Sequence, residues 1–276
     1  MQNMNALPNW NIRKYTHLLN INNHLSNSYV AQHNRELVMG GHIHVPMTYS
    51  GTFDYILSNK INSHNKIPAE ILLIPETTDM AISQLYNTGQ IRKIAALNFA
   101  NCRGTCGGYL HGSRAQEEDL ARVIPGLYAS LSQSSYPFDF YNELKYTPDL
   151  EIARLSDDNY NVYRKSCWAT CSIITAAAPD LRFGSYDKWD GNKMDRLIDC
   201  IFLAPLIYDS NVDTLVLGAF GSGVFQNDPK LTSKIMLSKI EKYRHLYKYI
   251  VFAIPDKTSV NYKTYEMRLL PHLMKK

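Results

Sequence analysis

Thr214-Leu-Val-Leu217-Gly218-Ala-Phe-Gly221-Ser-Gly223-Val-Phe225-Gln-Asn-Asp228-Pro229 makes three structural statements in one short stretch. Thr214 to Leu217 is a short apolar run that reads as a buried strand. The glycines that follow let the backbone turn sharply and come close to a ligand. Asp228 then Pro229 reads as an N-cap followed by proline at the first helical position. A glycine loop entering a helix faces an anion with unpaired N–H groups and a partial positive charge. The stretch lacks the lysine of a nucleotide-hydrolase phosphate loop, and no acidic residue about 20 positions on completes a dinucleotide site. A tight turn without a ligand would need the same glycines, so the loop alone leaves both readings open.

Working outward, the same alternation recurs. Strands are expected at Glu70–Ile74, Ile91–Phe99, Ala169–Ala176 and Tyr249–Ile254. Helices are expected at Thr78–Tyr86, stopped by Gly89, at Lys193–Ser210, bent or broken by Pro205, and from Pro229 to about Tyr247. Short apolar strands alternating with helices predict an α/β fold with a mostly parallel sheet between helical layers. Before residue 67 the pattern is looser. Helical periodicity runs over Asn9 to Leu25 and Tyr29 to Met39, ended by Gly40-Gly41; His42 to Val45 alternates like a short strand, and Thr52 to Ile61 is ambiguous. Residues 1–66 are therefore read as an N-terminal helical extension and residues 67–276 as one domain, with the polar stretch Pro148 to Asn161 as a surface loop.

A second glycine-rich loop follows the Ile91–Phe99 strand: Asn98-Phe-Ala-Asn101-Cys-Arg-Gly104-Thr-Cys106-Gly107-Gly108-Tyr-Leu-His-Gly112-Ser113-Arg-Ala-Gln116-Glu117-Glu118. Ser113 and Gln116 have the spacing of a capping box, which puts Glu117 and Glu118 in the first turns of a helix. Acidic residues are favoured there on general electrostatic grounds, so their position alone does not require chemistry.

Composition narrows the function classes. The 276 residues carry a formal net charge of +4. That mild excess suits anionic ligands but is far from the dense basic stripe of a dedicated nucleic-acid binder, and none is expected. Five scattered cysteines, an odd count, point to reduced thiols in a cytosol-like compartment. The first residues lack a secretory pattern, and no apolar run approaches the roughly 18 residues of a membrane span, so no membrane partner is expected. Cys102 with Cys106, Cys167 with Cys171, and His42 with His44 lack the paired spacings or carboxylate partners of a metal centre. No metal or other cofactor is expected. The basic stretch Lys239 to Lys248 is read as the solvated face of an amphipathic helix.

Gly107-Gly108 followed, seven residues later, by Gln116-Glu117-Glu118 resembles the signature of microbial-type poly(ADP-ribose) glycohydrolases of the macrodomain superfamily. Cys106 stands where that family has the first glycine of a triplet. Leu97–Asn101, Arg114–Arg122, Gly126–Leu131, Ile174–Leu181 and Leu217–Pro229 also resemble family segments, in order, so the resemblance spans residues 69–255. It implies a macrodomain-like three-layer sandwich whose cleft binds ADP-ribose. By similarity, Gly221, Ser222, Gly223, Val224 and Phe225 would wrap the diphosphate, with Phe225 beside the distal ribose. Asn101, Gly107 and Gly108 would line that ribose from the other side, with Gln116 in the same substrate-binding group. Thr78 and Glu76 would lie near the adenine. Glu118 would be the acid that protonates the departing ribose oxygen and later activates water, the usual carboxylate chemistry of glycoside hydrolysis. Glu117 would hold ribose hydroxyls and act as a neighbouring negative charge. The implied partner is ADP-ribose or poly(ADP-ribose) on modified proteins. Two alternatives accompany this reading: a hydrolase of mono-ADP-ribose linked to protein or nucleic acid, and a non-catalytic ADP-ribose binder. The intact Gln116-Glu117-Glu118 argues against the binder.

Overall fold

The computed structural model describes residues 23–61, 67–156 and 160–273. Seven strands form one sheet. In chain order they are β1 (Tyr49–Thr52), β2 (Glu70–Ile74), β3 (Ile94–Phe99), β4 (Glu143–Ile152), β5 (Ala169–Ala176), β6 (Thr214–Leu217) and β7 (Tyr249–Ala253). Their order across the sheet is β1-β4-β5-β3-β6-β7-β2. The five strands from β5 to β2 run parallel, while β4 and β1 add an antiparallel edge. The expected mixed, mainly parallel sheet between helices is what the chain forms.

Alternation along the central strands explains the layers. In β3, Ala95 and Leu97 face one core while Ile94 and Ala96 face the other; β7 divides in the same way, Ile250 and Phe252 against Val251 and Ala253. Both faces are apolar, so both must be covered. One is covered by α2 (Phe53–Ser58), α6 (Gly191–Tyr208), α7 (Pro229–Tyr243) and α8 (Val260–Leu269). The other is covered by α1 (Asn23–Met39), α3 (Thr78–Tyr86), α4 (Gln116–Val123) and α5 (Leu127–Leu131). No helix among the described residues is long and apolar enough to cross a membrane.

Several expectations shift. The segment set apart as an N-terminal extension supplies β1, an edge strand of the same sheet, and α2, whose Phe53 and Ile56 are buried in the main core. Thr52 caps α2 by accepting from the Tyr55 N–H. The helix expected over Asn9 to Leu25 lies largely outside the described residues. His42 to Val45 pairs with no strand; the His44 N–H donates instead to the Glu151 carboxylate at 3.1 Å. The polar stretch after Pro148 is not all loop. A bulge at Asp149, with φ of 52°, resets the register, and Leu150 to Ile152 rejoin β4 with Leu150 and Ile152 buried. Pro205 sits inside α6, which continues to Tyr208 before Asp209 closes it. Lys239 is not on a solvated face: it is buried and donates to Asp195 at 2.6 Å and Asp199 at 2.9 Å.

Candidate active site

Strands β3 and β6 are parallel neighbours, so the two glycine-rich loops that follow them leave the sheet at one carboxyl edge. That edge is where open α/β sheets place ligands. A cavity of about 480 Å³ opens there, within the usual size of small-molecule sites. Phe99 to Asn101 and Ala115 to Leu120 form one wall, and Gly221, Gly223, Val224 and Phe225 face them. Thr78 and Asp79 of α3, and Ser259 and Asn261 at the start of α8, also line it.

The glutamates sit in the first turn of α4, and their loop folds back over them. Glu117 Oε1 accepts from Asn98 Nδ2 at 3.1 Å and Oε2 from the Asn101 N–H at 2.8 Å. Glu118 Oε1 accepts from the Gly108 N–H at 3.0 Å; its second oxygen bonds to no protein donor among the described residues. Gly107 has a φ of 51°, and a Cβ there would lie 2.7 Å from Glu118 Oε1 and 3.4 Å from Glu117 Oε2. Only glycine lets the chain cross both carboxyl groups this closely. Gly107 and Gly108 thus buttress the glutamates from behind and are not among the cavity-lining residues. Cys106 takes the left-handed conformation with φ of 52°, which costs a side chain about 1 kcal/mol. Its thiol is buried in the core on the α1, α3 and α4 side and does not line the cavity.

Burial pushes the Glu117 carboxyl up to about 8. The Asn101 N–H and Asn98 amide pull the other way, and the Glu118 charge adds to the rise. Burial, followed by the charges of Glu117 and Glu118, pushes the Cys106 thiol well above its ordinary value.

The expected capping box does not form. The residue before α4 is Ala115, which has no side-chain cap, and Ser113 packs against Gly108 instead. Gln116 is drawn across to the sheet. Its carbonyl accepts from the Phe99 N–H at 2.8 Å, and its amide donates to Leu97 O at 2.8 Å and Thr78 Oγ1 at 3.1 Å. Satisfying the end of β3 takes priority over satisfying the helix start. Arg122, fully buried, ties Asp119 to the Ser113 carbonyl. From α1, Asn34 Nδ2 reaches Tyr109 Oη at 3.1 Å, Ala121 O at 3.2 Å and Arg122 O at 2.9 Å, while its Oδ1 accepts from Arg154 Nε at 2.8 Å. One buried amide of the N-terminal segment therefore holds both the loop and the helix that carry the glutamates.

The second loop is built differently. Gly221, with φ of 73°, turns where a Cβ would meet Ala178 Cβ at 2.8 Å and the Asn227 side chain at 3.0 Å. Asn227 Nδ2 fastens the turn to Pro179 O at 2.8 Å and Gly221 O at 3.0 Å. The N–H groups of Gly221, Gly223, Val224 and Phe225 donate to no protein acceptor among the described residues. Four open donors at one wall of a cavity are an arrangement that can receive an anion. Ser222 is turned out of it: its N–H bonds Ala219 O at 3.0 Å and its hydroxyl bonds Thr232 Oγ1 at 3.1 Å. The Phe225 ring lies 5.6 Å from the Arg182 guanidinium, which Asp180 holds.

Of the residues singled out from sequence, Thr78, Asn101, Gln116, Glu117, Glu118, Gly221, Gly223, Val224 and Phe225 line one cavity, whereas Gly107, Gly108, Ser222 and Glu76 do not. Asp79, Arg182 and Asn261 line it without having been anticipated. Asp79 is one position past Thr78 in the first turn of α3 and is committed to Ser156, accepting from its N–H at 2.9 Å. Among the described residues, no group of three or more His, Cys, Asp or Glu side chains is placed to hold a metal ion.

Residues 20–164 match the family model described as microbial-type PARG, catalytic domain. The fold is similar to that of poly(ADP-ribose) glycohydrolase from Thermomonospora curvata, with a TM-score of 0.73 and 23% identity over 88% of this chain and 99% of that one. The same protein bound to the inhibitor ADP-HPD gives a TM-score of 0.71 and 22% identity over 88% and 99% of the two chains. Poly(ADP-ribose) glycohydrolase from Deinococcus radiodurans in complex with ADP-ribose gives 0.66 and 23% identity over 81% and 94%. At these identities the structural likeness is one of fold. No curated protein matches the chain by sequence.

Proposed function

The chain belongs to the microbial-type poly(ADP-ribose) glycohydrolase catalytic-domain family, and from that premise we propose that it hydrolyses the ribose–ribose O-glycosidic bonds of poly(ADP-ribose), releasing ADP-ribose, with Glu118 as general acid and base. One observation carries the reading. The Glu118 carboxyl is anchored at one oxygen by the Gly108 N–H and lies in the same cavity as the open donors of Gly221, Gly223, Val224 and Phe225. A diphosphate on those donors, with its ribose extended past Phe225 towards Asn101, brings an anomeric carbon to the glutamate end.

Protonated Glu118 gives its proton to the departing ribose oxygen as the bond from that oxygen to the anomeric carbon breaks. The resulting carboxylate then takes a proton from water as the water oxygen bonds to that carbon. Water is consumed and the acid is regenerated. The transition state has oxocarbenium character. Burial keeps most Glu117 protonated near neutrality, so its carboxyl serves to hold hydroxyl groups more than to supply charge. The diphosphate and the newly formed Glu118 carboxylate then carry the electrostatic stabilisation. On this reading residues 67–276 hold the catalytic machinery. Residues 1–66 are an extension on which its geometry depends, through β1, α2 and Asn34. The partner is ADP-ribose polymer on modified proteins in an intracellular compartment.

Glu118→Gln tests the assignment. Release of ADP-ribose from labelled polymer should fall by about two to four decades, while calorimetry still registers ADP-ribose binding. Turnover near the wild-type rate would remove Glu118 from the mechanism.

A further inference from the structure

Phe183 and Tyr186, with relative exposures of 107% and 93%, are the most exposed large hydrophobic residues among those described. The turn that carries them is fastened. The Ser185 N–H bonds Arg182 O at 3.0 Å, and Gly184 takes a φ of 84°. The Asp180 N–H bonds the Asp187 carboxylate at 2.9 Å, and the Leu181 N–H bonds Phe225 O at 2.9 Å. The rings are therefore displayed by a built turn.

The turn adjoins the cavity at two points. Arg182 lines the cavity over Phe225. Arg103, two residues past the Asn101 that holds Glu117, approaches Asp187 at 3.6 Å. A cavity of about 480 Å³ suits one small ligand, so the rest of a polymer must lie on the surface beyond Glu118. The Arg103 side chain, 61% exposed beside the turn, is a cation on that surface that suits another diphosphate.

We infer that Phe183 and Tyr186 form a stacking subsite for the adenine of the ADP-ribose unit on the departing side of the scissile bond. The inference rests on the glycohydrolase reading and adds to it a basis for preferring polymer over other ADP-ribosyl leaving groups. Every base presents a π-face, and exposed aromatic rings capture it without a preformed pocket.

The test compares two substrates. Poly(ADP-ribose) leaves with an adenine-bearing unit; an aryl ADP-ribose such as the 4-nitrophenyl compound does not. In the double variant Phe183→Ala/Tyr186→Ala, the ratio of kcat/KM on polymer to that on the aryl compound should fall by about ten-fold. Phe183→Trp/Tyr186→Phe should restore it. An unaltered ratio in the alanine variant overturns the subsite alone. A wild-type protein that releases no ADP-ribose from polymer overturns the glycohydrolase reading and the subsite with it.

Discussion

The two glycine-rich loops contribute to facing walls of one cavity, and they differ in whether their backbone donors meet the functional carboxyl groups. The loop after β3 turns selected donors onto its own functional side chains: the N–H groups of Asn101 and Gly108 are taken by Glu117 and Glu118, and that of Phe99 by Gln116. The loop after β6 leaves four consecutive or near-consecutive N–H groups open, from Gly221 to Phe225. On the proposed reading, the carboxyl groups of one wall are set before a ligand arrives, and the open donors of the other are completed by one. Catalytic groups benefit from the first arrangement, because a carboxyl held by fixed dipoles does not have to be reoriented during the reaction. Anion capture benefits from the second, because unsatisfied donors near a helix start gain most from a phosphate.

That contrast can be broken from the closed side first. Gly107→Ala places a methyl 2.7 Å from Glu118 Oε1 at a φ of 51°. It should lower kcat by about a hundred-fold, the scale of misplacing a reacting group. A kcat within two-fold of wild type, in steady-state assays, would mean that Glu118 is not held by this loop. The buried carboxyl offers a second test. Glu117 binds its proton more tightly folded, at about 8, than at its ordinary value of 4.5. Between those limits the folded chain carries the extra proton, so stability falls as pH rises through this window and levels off above it, by an amount on the order of a few kcal/mol. Urea unfolding of the ligand-free protein across that range should show the slope, and Glu117→Gln should flatten it. Parallel profiles would dismiss Glu117 as its source. The open side sharpens the contrast with a smaller effect. Gly221→Ala, strained by its φ of 73° and by Ala178 at 2.8 Å, should weaken ADP-ribose binding by roughly ten-fold with the Glu117 and Glu118 geometry intact, whereas Gly223, with nothing within 4 Å, should accept alanine with little loss. Equal losses in calorimetry would mean that the loop does not act through the turn at Gly221.

Much of this architecture is legible in the chain because the central strands are buried on both faces and read as apolar runs. Glu70–Ile74, Thr78–Tyr86, Ala169–Ala176 and Thr214–Leu217 form where pattern alone places them. Strand β4 escapes that reading. It buries Lys145 and Thr147 at its centre, and the bulge after Pro148 breaks its alternation. Lys145 is tolerated because its ammonium meets Glu143 at 2.9 Å and the rings of Tyr136 and Phe138, none of which local pattern exposes. At the site, residue types announced the glutamates and both glycine turns. The role of Gln116 as a strut to β3, the turning away of Ser222 and the reach of Asn34 across the domain depend on partners distant in sequence. They become visible only when those partners share a fold.

The order of strands in the sheet also bears on how the protein is made. Strand β2 pairs only with β7, Glu70 beside Tyr249, and β3 pairs on its open side with β6. A nascent chain emerging from the ribosome has its glutamates long before it has the strand and glycine turn that complete their cavity. Parallel pairing at such long separation is slow to form and exposes unpaired strand edges in the interim. Completion of the cavity therefore waits for β6, the loop that follows it and β7.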